Sequence, residues 1–182
     1  AVGSLHSWSD AILGDDVLLD LRRLHDVQLQ PDGNKFVATV GAGCQIKRLL
    51  KELARDGATL HSHGLITEQT IAGAISTGTH GSGRHSMSHY VEEVQLARYD
   101  DSTGQAIIEV ISAGEQLRAA RCSLGSLGII LSVKLRCRAQ YNVQEHFTES
   151  RRLADVLDAE SSFPLQQFYL IPWRWSYFIQ HR

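Results

Sequence analysis

The sequence predicts an α+β fold in which helices flank a mixed or antiparallel sheet. Residues 45–56 carry apolar side chains at helical spacing, and residues 129–138 alternate apolar and polar side chains as a strand with one wet face does. Two further strand-like segments, 90–99 and 106–111, are separated by a short run of turn-forming residues that favours a hairpin. A hairpin joins antiparallel strands, so the pattern argues against a purely parallel sheet.

The first half of the chain supplies two predicted strands and the amphipathic helix. The apolar runs at residues 17–21 and 36–40 each have the length of a buried strand, and the turn-forming residues 31–34 lie between them. The helix 45–56 follows, with lysine, arginine and glutamate between its apolar positions and Gly57 as its stop signal. We therefore expect the domain to open with strands.

The second half supplies further elements of both kinds. After the hairpin, residues 115–122 are predicted to form a short helix that precedes the clearest strand. Past about Tyr141 the composition shifts, with a helical pattern at residues 151–159 and strand-like runs at 165–171 and 176–182. The last run ends without a closing element, and the chain begins with alanine rather than methionine, so we interpret the sequence as a partial chain.

The composition argues against several classes of partner. Lysine and arginine number 18 against 20 aspartate and glutamate, a formal net charge of −2, so the chain has no basic field to hold nucleic acid or an anionic membrane surface. Its apolar runs stay well below the roughly 20 residues of a membrane-spanning helix, which predicts a soluble chain without a membrane segment. Three widely spaced cysteines form no CxxC pair and no disulfide framework, which favours a reducing, cytoplasmic location.

Residues 71–83 read Ile-Ala-Gly-Ala-Ile-Ser-Thr-Gly-Thr-His-Gly-Ser-Gly, an apolar entry followed by small residues around a single histidine, His80. Glycine admits a ligand where a Cβ atom would collide with it, and successive unpaired N–H groups in such a loop form a concave anion site. We therefore interpret this segment as a loop that lies against a cofactor. It is neither of the common nucleotide loops, because the sequence has no GxxxxGK[ST] motif and no GxGxxG between a strand and a helix.

A second glycine-containing loop stands at the start of the chain, where Gly3 and two serines surround His6. Backbone N–H groups in such a turn can hold a pyrophosphate without a lysine. A third segment, 123–130, leads through glycines into the strand 129–138, although a helix that ends at glycine before a strand is ordinary architecture. The first and third segments are weak signals alone and gain weight from the segment 71–83.

Together the three segments resemble the FAD-binding domain, of the PCMH type, of the vanillyl-alcohol oxidase superfamily. Within it, the sequence is similar to the branch of sugar-1,4-lactone oxidases, such as gulonolactone and arabinonolactone oxidase, and alditol oxidase. The resemblance covers about residues 1–140 and implies that they form an FAD-binding domain without its first strands. It also implies that residues 141–182 begin the substrate-binding cap domain, most of which would lie outside this sequence.

The resemblance implies that FAD is the cofactor and that all three segments contact it. His6 matches the histidine that is often bonded covalently to the 8α-methyl group of the isoalloxazine ring, and a neutral imidazole nitrogen is a suitable nucleophile for that bond. Leu5 departs from the family, whose members usually carry glycine or a different residue there, and Thr70 would lie near substrate as well as flavin. The implied contact residues are Val2, Gly3, Ser4, Leu5, His6, Ser7, Thr70, Gly73, Ser76, Thr77, Gly78, Thr79, His80 and Ile130.

By the same resemblance, the protein is expected to be an FAD-dependent oxidoreductase. It would oxidise a CH–OH group of a sugar lactone or polyol by hydride transfer to flavin N5, with O2 as the expected electron acceptor. Family members place the catalytic base in the cap domain, here beyond Arg182, so no catalytic residue is expected within this chain. The expected partners are a small carbohydrate or polyol substrate and O2.

Two alternatives remain open. One is an FAD-binding module without oxidase activity. The other is a metal-dependent enzyme, since His61 and His63 lie two residues apart and His85 and His89 four apart, a spacing that on a helix suits a metal pair. Against a metal site, glycines upstream of His85 disfavour a helix, no glutamate stands inside the pair and no cysteine is near, so we predict no metal.

Overall fold

The computed structural model describes residues 1–14, 16–33, 35–82 and 85–182. Contacts between Cα atoms divide the chain into two compact units, Ala1–Gln140 and Tyr141–Arg182. All three glycine-containing segments belong to the first unit. Asn34 of the predicted turn and Gly83 of the predicted cofactor loop lie outside the described residues.

Within the described residues, six strands of the first unit form one sheet, and the strand pairings in it are antiparallel. The strands are β1 (Val27–Asp32), β2 (Lys35–Gly41), β3 (Ala58–Leu60), β4 (Val91–Tyr99), β5 (Ala106–Ile111) and β6 (Ile129–Ala139). Their order is β1-β2-β6-β4-β5, and β3 pairs with the C-terminal end of β6. The predicted α+β class and the predicted hairpin of β4 and β5 are confirmed.

The helices of this unit cover the sheet and close its core. They are α1 (Ile46–Arg55), α2 (Ile71–Ser76) and α3 (Gly114–Ala120). In α1 the side chains of Ile46, Leu49 and Leu53 are fully buried in one cluster with the inward side chains of β2, β4 and β6. Each such side chain contributes roughly 1.5–3 kcal/mol through burial. The helices predicted at residues 45–56 and 115–122 are thereby confirmed, with ends shifted by one or two residues.

The strand predicted at residues 129–138 is confirmed as β6, although its alternation changes phase once. From Val133 to Cys137 every second side chain is buried, as the pattern predicts. Before that stretch Ile130 is buried, and its two neighbours are only partly covered. The register of β6 against β4 skips Leu131, so a β-bulge turns Ile130 toward the core.

The strand predicted at residues 17–21 is wrong. This stretch makes a single bridge, between Val2 and Asp20, and the side chain of Val17 remains 75% exposed. The first strand of the sheet is instead β1, in which two apolar residues alternate with glutamines. β1 lies at the edge of the sheet, where Pro31 is tolerated because an edge strand does not need the N–H that proline lacks.

The second unit is a small three-stranded antiparallel sheet with one helix. Its elements are β7 (His146–Ser150), α4 (Leu153–Ala159), β8 (Gln166–Ile171) and β9 (Ser176–His181). β9 lies between β7 and β8, and α4 contacts β9, with Val156 and Ile179 both buried. The helix and the two strands predicted after Tyr141 are confirmed, and β7 is an addition. Across the described part of both units, no helix combines the length and apolarity that a membrane crossing requires.

Candidate cofactor site

The glycine-rich segment begins as a helix rather than as a loop. Its first six residues form α2, so the loop predicted over residues 71–83 starts only after Ser76. The sequence has low helix propensity, and a helix this short is unstable alone. Burial stabilises it, because the side chains at five of its six positions are shielded from solvent: Ile71, Ala72, Ala74, Ile75 and Ser76.

Gly78 ends α2 through a Schellman motif. The N–H of Gly78 donates to the carbonyl of Ile75 at 3.1 Å, and the N–H of Thr79 donates to that of Ala74 at 2.9 Å. Gly78 has a φ of 68°, in the left-handed region that favours glycine. This residue, expected only as a cofactor contact, therefore has a structural role, which is to turn the chain out of the helix.

Gly73 has no such structural explanation. It is exposed, and a Cβ atom added there would meet only Thr70 Oγ1, at an ordinary contact distance of 3.6 Å. Glycine inside a helix costs about 1 kcal/mol relative to alanine. A bare backbone is thus presented on the exposed side of α2 although packing within the protein does not require it, which fits a site for a closely approaching ligand.

The N-terminal loop packs against the residue that precedes α2. A Cβ atom on Gly3 would lie 2.0 Å from Thr70 Oγ1 and 2.9 Å from Thr70 Cβ, so a side chain cannot be accommodated without a shift of the backbone. Val2 anchors the loop, since its N–H donates to Leu19 and its carbonyl accepts from the N–H of Leu21, at 2.8 and 2.9 Å. Thr70 is 5% exposed under Gly3, and its contact with substrate stays a prediction.

The rest of the N-terminal loop is open to solvent. Leu5, His6 and Ser7 are exposed, and Leu5 has a φ of 57°. A left-handed conformation costs a residue with a Cβ atom roughly 1–2 kcal/mol. Strain of this kind is concentrated at functional sites, and it falls here at the position where the sequence departs from the resembling family.

In the loop after α2, Thr77 and His80 are exposed, whereas Gly78 and Thr79 are partly buried. The hydroxyl of Thr77 donates to the carbonyl of Gly73 at 3.0 Å, back along the helix. His80 Nδ1 lies 2.8 Å from the carbonyl oxygen of Gly81. A carbonyl can only accept, so Nδ1 is the donor in this contact.

The third segment meets the other end of α2. The thiol of Cys122 and the N–H of Leu124 both donate to the carbonyl of Ser76, at 3.4 and 3.2 Å. Ile130 follows in β6 with its side chain 4% exposed, so a contact with a cofactor would fall to its main chain, as the resemblance implies. The structure thus brings the three segments together around one short helix.

Gln45 also belongs to this arrangement, and the sequence analysis did not identify it. Its amide Nε2 donates to the hydroxyl oxygen of Ser4 at 3.1 Å and to the carbonyl of Glu68 at 3.0 Å. Its main chain forms a bridge with Thr70. The Gln45 side chain therefore links the N-terminal loop to the stretch before α2 through hydrogen bonds. No local sequence pattern predicts a contact between residues so far apart in the chain.

Three of the four histidines of the metal alternative stack on neighbouring rings, and the fourth, His63, has its Nδ1 2.8 Å from the carbonyl oxygen of Gly64. His85 and His89 have ring centroids 4.0 Å apart, and His61 lies 4.5 Å from Tyr90. His89 is in the 3-10 helix Met87–Tyr90, so the α-helical spacing assumed for a metal pair is not formed. Burial, with neighbouring positive charges in second place, lowers the pKa of both His61 and His89. Among the described residues, no three histidine, cysteine or acidic side chains converge as metal ligands.

The chain is similar to a protein described as an alcohol oxidase and to one described as a sugar-lactone oxidase. The chain is 81% identical over 182 residues to a long-chain alcohol oxidase of an uncultured marine euryarchaeote, covering 100% of this chain and 38% of that protein. It is 37% identical over 145 residues to the D-arabinono-1,4-lactone oxidase of Eremothecium gossypii, covering 78% of this chain and 27% of that protein. The chain thus spans well under half the length of these relatives.

A solved structure and a family model both match this chain. A crystal structure of cholesterol oxidase from Brevibacterium sterolicum superposes with a TM-score of 0.81 over 99% of this chain and 39% of its own, at 14% sequence identity, which shows a shared fold. A family model described as an FAD binding domain matches residues 1–107. These findings confirm the resemblance drawn from the motifs. Because the match covers more than half of the sequence, the chain belongs to the family of FAD-binding domains, and FAD is its cofactor.

Proposed function

We propose that the protein is an FAD-dependent oxidoreductase that oxidises a CH–OH group of a small-molecule substrate. The observation that carries the proposal is the convergence of three segments on α2. Gly3 lies against Thr70 at its start, and Cys122 and Leu124 donate to Ser76 at its end. When bound, FAD supplies the hydride acceptor, and the residues of this chain bind and orient it.

Each segment has a separate part in holding the cofactor. Backbone N–H groups of residues 3–7 would bind the pyrophosphate, since successive N–H groups of a loop can form a concave anion site. The exposed face of α2 at Gly73, together with Thr77 and His80, would lie against the flavin and its ribityl arm. The main chain of Ile130 would face the adenine end. No catalytic base is assigned within these 182 residues.

Two substrate classes are candidates for this reaction. The three segments are similar to those of sugar-lactone and polyol oxidases, which favours a polyhydroxylated substrate and O2 as acceptor. The relative at 81% identity is called a long-chain alcohol oxidase, and this favours an apolar alcohol as a second candidate. The residues that choose between them are not among the site residues described above, because cofactor contacts do not set substrate specificity.

Anaerobic reduction of the bound flavin tests the reaction directly. The full-length gene product is mixed in turn with a sugar-1,4-lactone, an alditol and a long-chain primary alcohol, and the visible flavin absorption is followed. We expect one class to bleach the flavin and O2 to restore it. A protein that carries FAD and is bleached by none of the three would support the alternative of a flavin-binding module without oxidase activity.

Replacing Gly73 by alanine separates a ligand role from a structural one. The added methyl group finds ordinary contact distances within the protein, so the stability of the apoprotein is expected to stay equal or to rise by up to about 1 kcal/mol. FAD affinity is expected to fall about tenfold or more, because the methyl group stands where the cofactor would approach. Calorimetric unfolding and fluorescence titration with FAD measure the two effects, both in the His6→Ala protein, in which FAD is expected to bind reversibly.

Gly14→Ala is the matched control for this variant. Gly14 is exposed with nothing within 4 Å of a built Cβ atom, and it belongs to none of the three segments. It should leave FAD affinity unchanged. An unchanged affinity in Gly73→Ala as well would place the cofactor away from the exposed face of α2.

A further inference from the structure

The side-chain amide of Gln45 uses both of its protons. Nε2 donates to the Ser4 hydroxyl oxygen and to the Glu68 carbonyl, at 3.1 and 3.0 Å. A primary amide nitrogen has two N–H groups, and a backbone carbonyl can only accept. The Glu68 carbonyl therefore fixes which end of the amide is nitrogen, and the same nitrogen must be the donor to Ser4.

The position of Gln45 is held by its main chain on both sides. The N–H of Ile46 donates to the carbonyl of Gln69 at 2.9 Å, and the N–H of Ile71 donates to that of Cys44 at 2.8 Å. Gln45 also bridges to Thr70. The amide is thus carried on a paired backbone rather than on a free loop, which is the condition for orienting a neighbouring group.

The consequence falls on the Ser4 hydroxyl. A hydroxyl has one proton and rotates to suit its partners, and an oxygen that accepts from Gln45 points its own proton elsewhere. Ser4 is only partly buried and follows Gly3, whose position is fixed by its fit against Thr70. A hydrogen-bond donor is therefore presented on the loop in which the pyrophosphate is placed.

We propose that Gln45 is a positioning residue for FAD, which directs the Ser4 hydroxyl proton toward a phosphate oxygen of the cofactor. The inference rests on the proposed placement of the pyrophosphate at the N-terminal loop. A hydroxyl that donates to a charged phosphate makes a charge-assisted bond, which is about twice as strong as a neutral one. Gln45 itself touches no part of the cofactor and acts through Ser4.

A double-mutant cycle tests the coupling. The full-length gene product carrying His6→Ala, in which FAD is expected to bind reversibly, is titrated with FAD and with ADP, which shares the pyrophosphate. Gln45→Met and Ser4→Ala should each raise the Kd for both ligands about tenfold. The combined variant should be no weaker than the weaker single variant, because the two residues act through one bond.

Gln45→Glu tests whether residue 45 must donate a hydrogen bond to the Ser4 hydroxyl. A carboxylate has no proton to donate, so the Ser4 hydroxyl would turn toward residue 45, and a negative charge would stand near the phosphates. The Kd should therefore rise further than in Gln45→Met. Lys47→Met is the matched control. Lys47 lies in α1, two residues after Gln45, and forms an ion pair with Glu68. Its replacement removes that ion pair without touching Ser4 and should leave the Kd unchanged.

Three results would overturn the assignment of Gln45. They are additive effects of Gln45→Met and Ser4→Ala, an unchanged Kd in Ser4→Ala, and parental affinity in Gln45→Glu. A loop that is merely loosened by Gln45→Met would give the first of these. If the parent variant itself binds neither FAD nor ADP, both this inference and the cofactor placement are wrong, whereas a binding parent with uncoupled variants contradicts the inference alone.

Discussion

Replacing Gly3 by alanine is expected to remove most of the flavin from the protein and to destabilise it. The new Cβ atom would lie 2.0 Å from Thr70 Oγ1 and 2.9 Å from Thr70 Cβ. Rotation of the threonine relieves only the first contact, so the backbone of the N-terminal loop must move. Overpacking of this kind costs about 1–3 kcal/mol, and the movement also takes Ser4 away from Gln45. Thermal unfolding and the ratio of flavin to protein measure the two losses.

A second substitution on the partner residue checks the cause. Thr70→Ala removes the Oγ1 and Cγ2 atoms, which would lie 2.0 and 2.8 Å from the new methyl group, and keeps only the 2.9 Å contact with Cβ. Gly3→Ala combined with Thr70→Ala should therefore regain part of the stability and of the flavin content. Wild-type flavin content in Gly3→Ala alone would mean that the loop does not pack on Thr70 in solution.

Replacing His6 by alanine is expected to convert a covalently bound flavin into a dissociable one. His6 is exposed and stands three residues after Gly3, the point at which the loop is fixed against Thr70. The backbone donors of the loop remain in the variant, so FAD should still bind. After acid precipitation the flavin should stay with the wild-type protein and pass into the supernatant with His6→Ala. Mass spectrometry of the peptide that contains His6 locates the bond.

His80→Ala is the matched control for the attachment site. His80 is also an exposed histidine of the segments that are expected to contact flavin, and its Nδ1 lies within hydrogen-bond distance of the carbonyl of Gly81. The variant should keep the covalent flavin. Release of flavin from the wild-type protein by acid would reduce His6 to a non-covalent contact, and loss of the bond in His80→Ala alone would move the attachment to His80.

The elements with a strong local pattern were predictable from the sequence. In α1 and β6 the apolar side chains recur with the period of a helix and of a strand, and both elements are present in the structure. The strand predicted at residues 17–21 was wrong because a run of apolar residues fits a strand by composition, although the side chains of Val17, Leu18 and Leu19 remain exposed. β1 was overlooked because Pro31 interrupts its alternation, which only an edge position allows.

The candidate site also has a part that was predictable from local motifs and a part that was not. Glycines and histidines in short motifs can be recognised by resemblance, and so Gly3, His6 and Gly73 could be named as candidates from the sequence. Their separate roles depend on neighbours that are distant in the sequence. Gly3 is required by Thr70, and Gln45 reaches Ser4 across 41 positions, contacts that no local period encodes. Gly78 likewise acquires its role only because α2 forms, and α2 forms because the core buries it.

FAD is proposed to lie across the N-terminal loop and the exposed side of α2, and amide hydrogen exchange tests this placement. The His6→Ala protein is compared as apoprotein and after loading with FAD. We expect slower exchange in both residues 3–7 and residues 73–80 of the loaded protein, and unchanged exchange in β5, at the far edge of the sheet from β1. Bound flavin with unchanged exchange in both segments would show that FAD binds elsewhere.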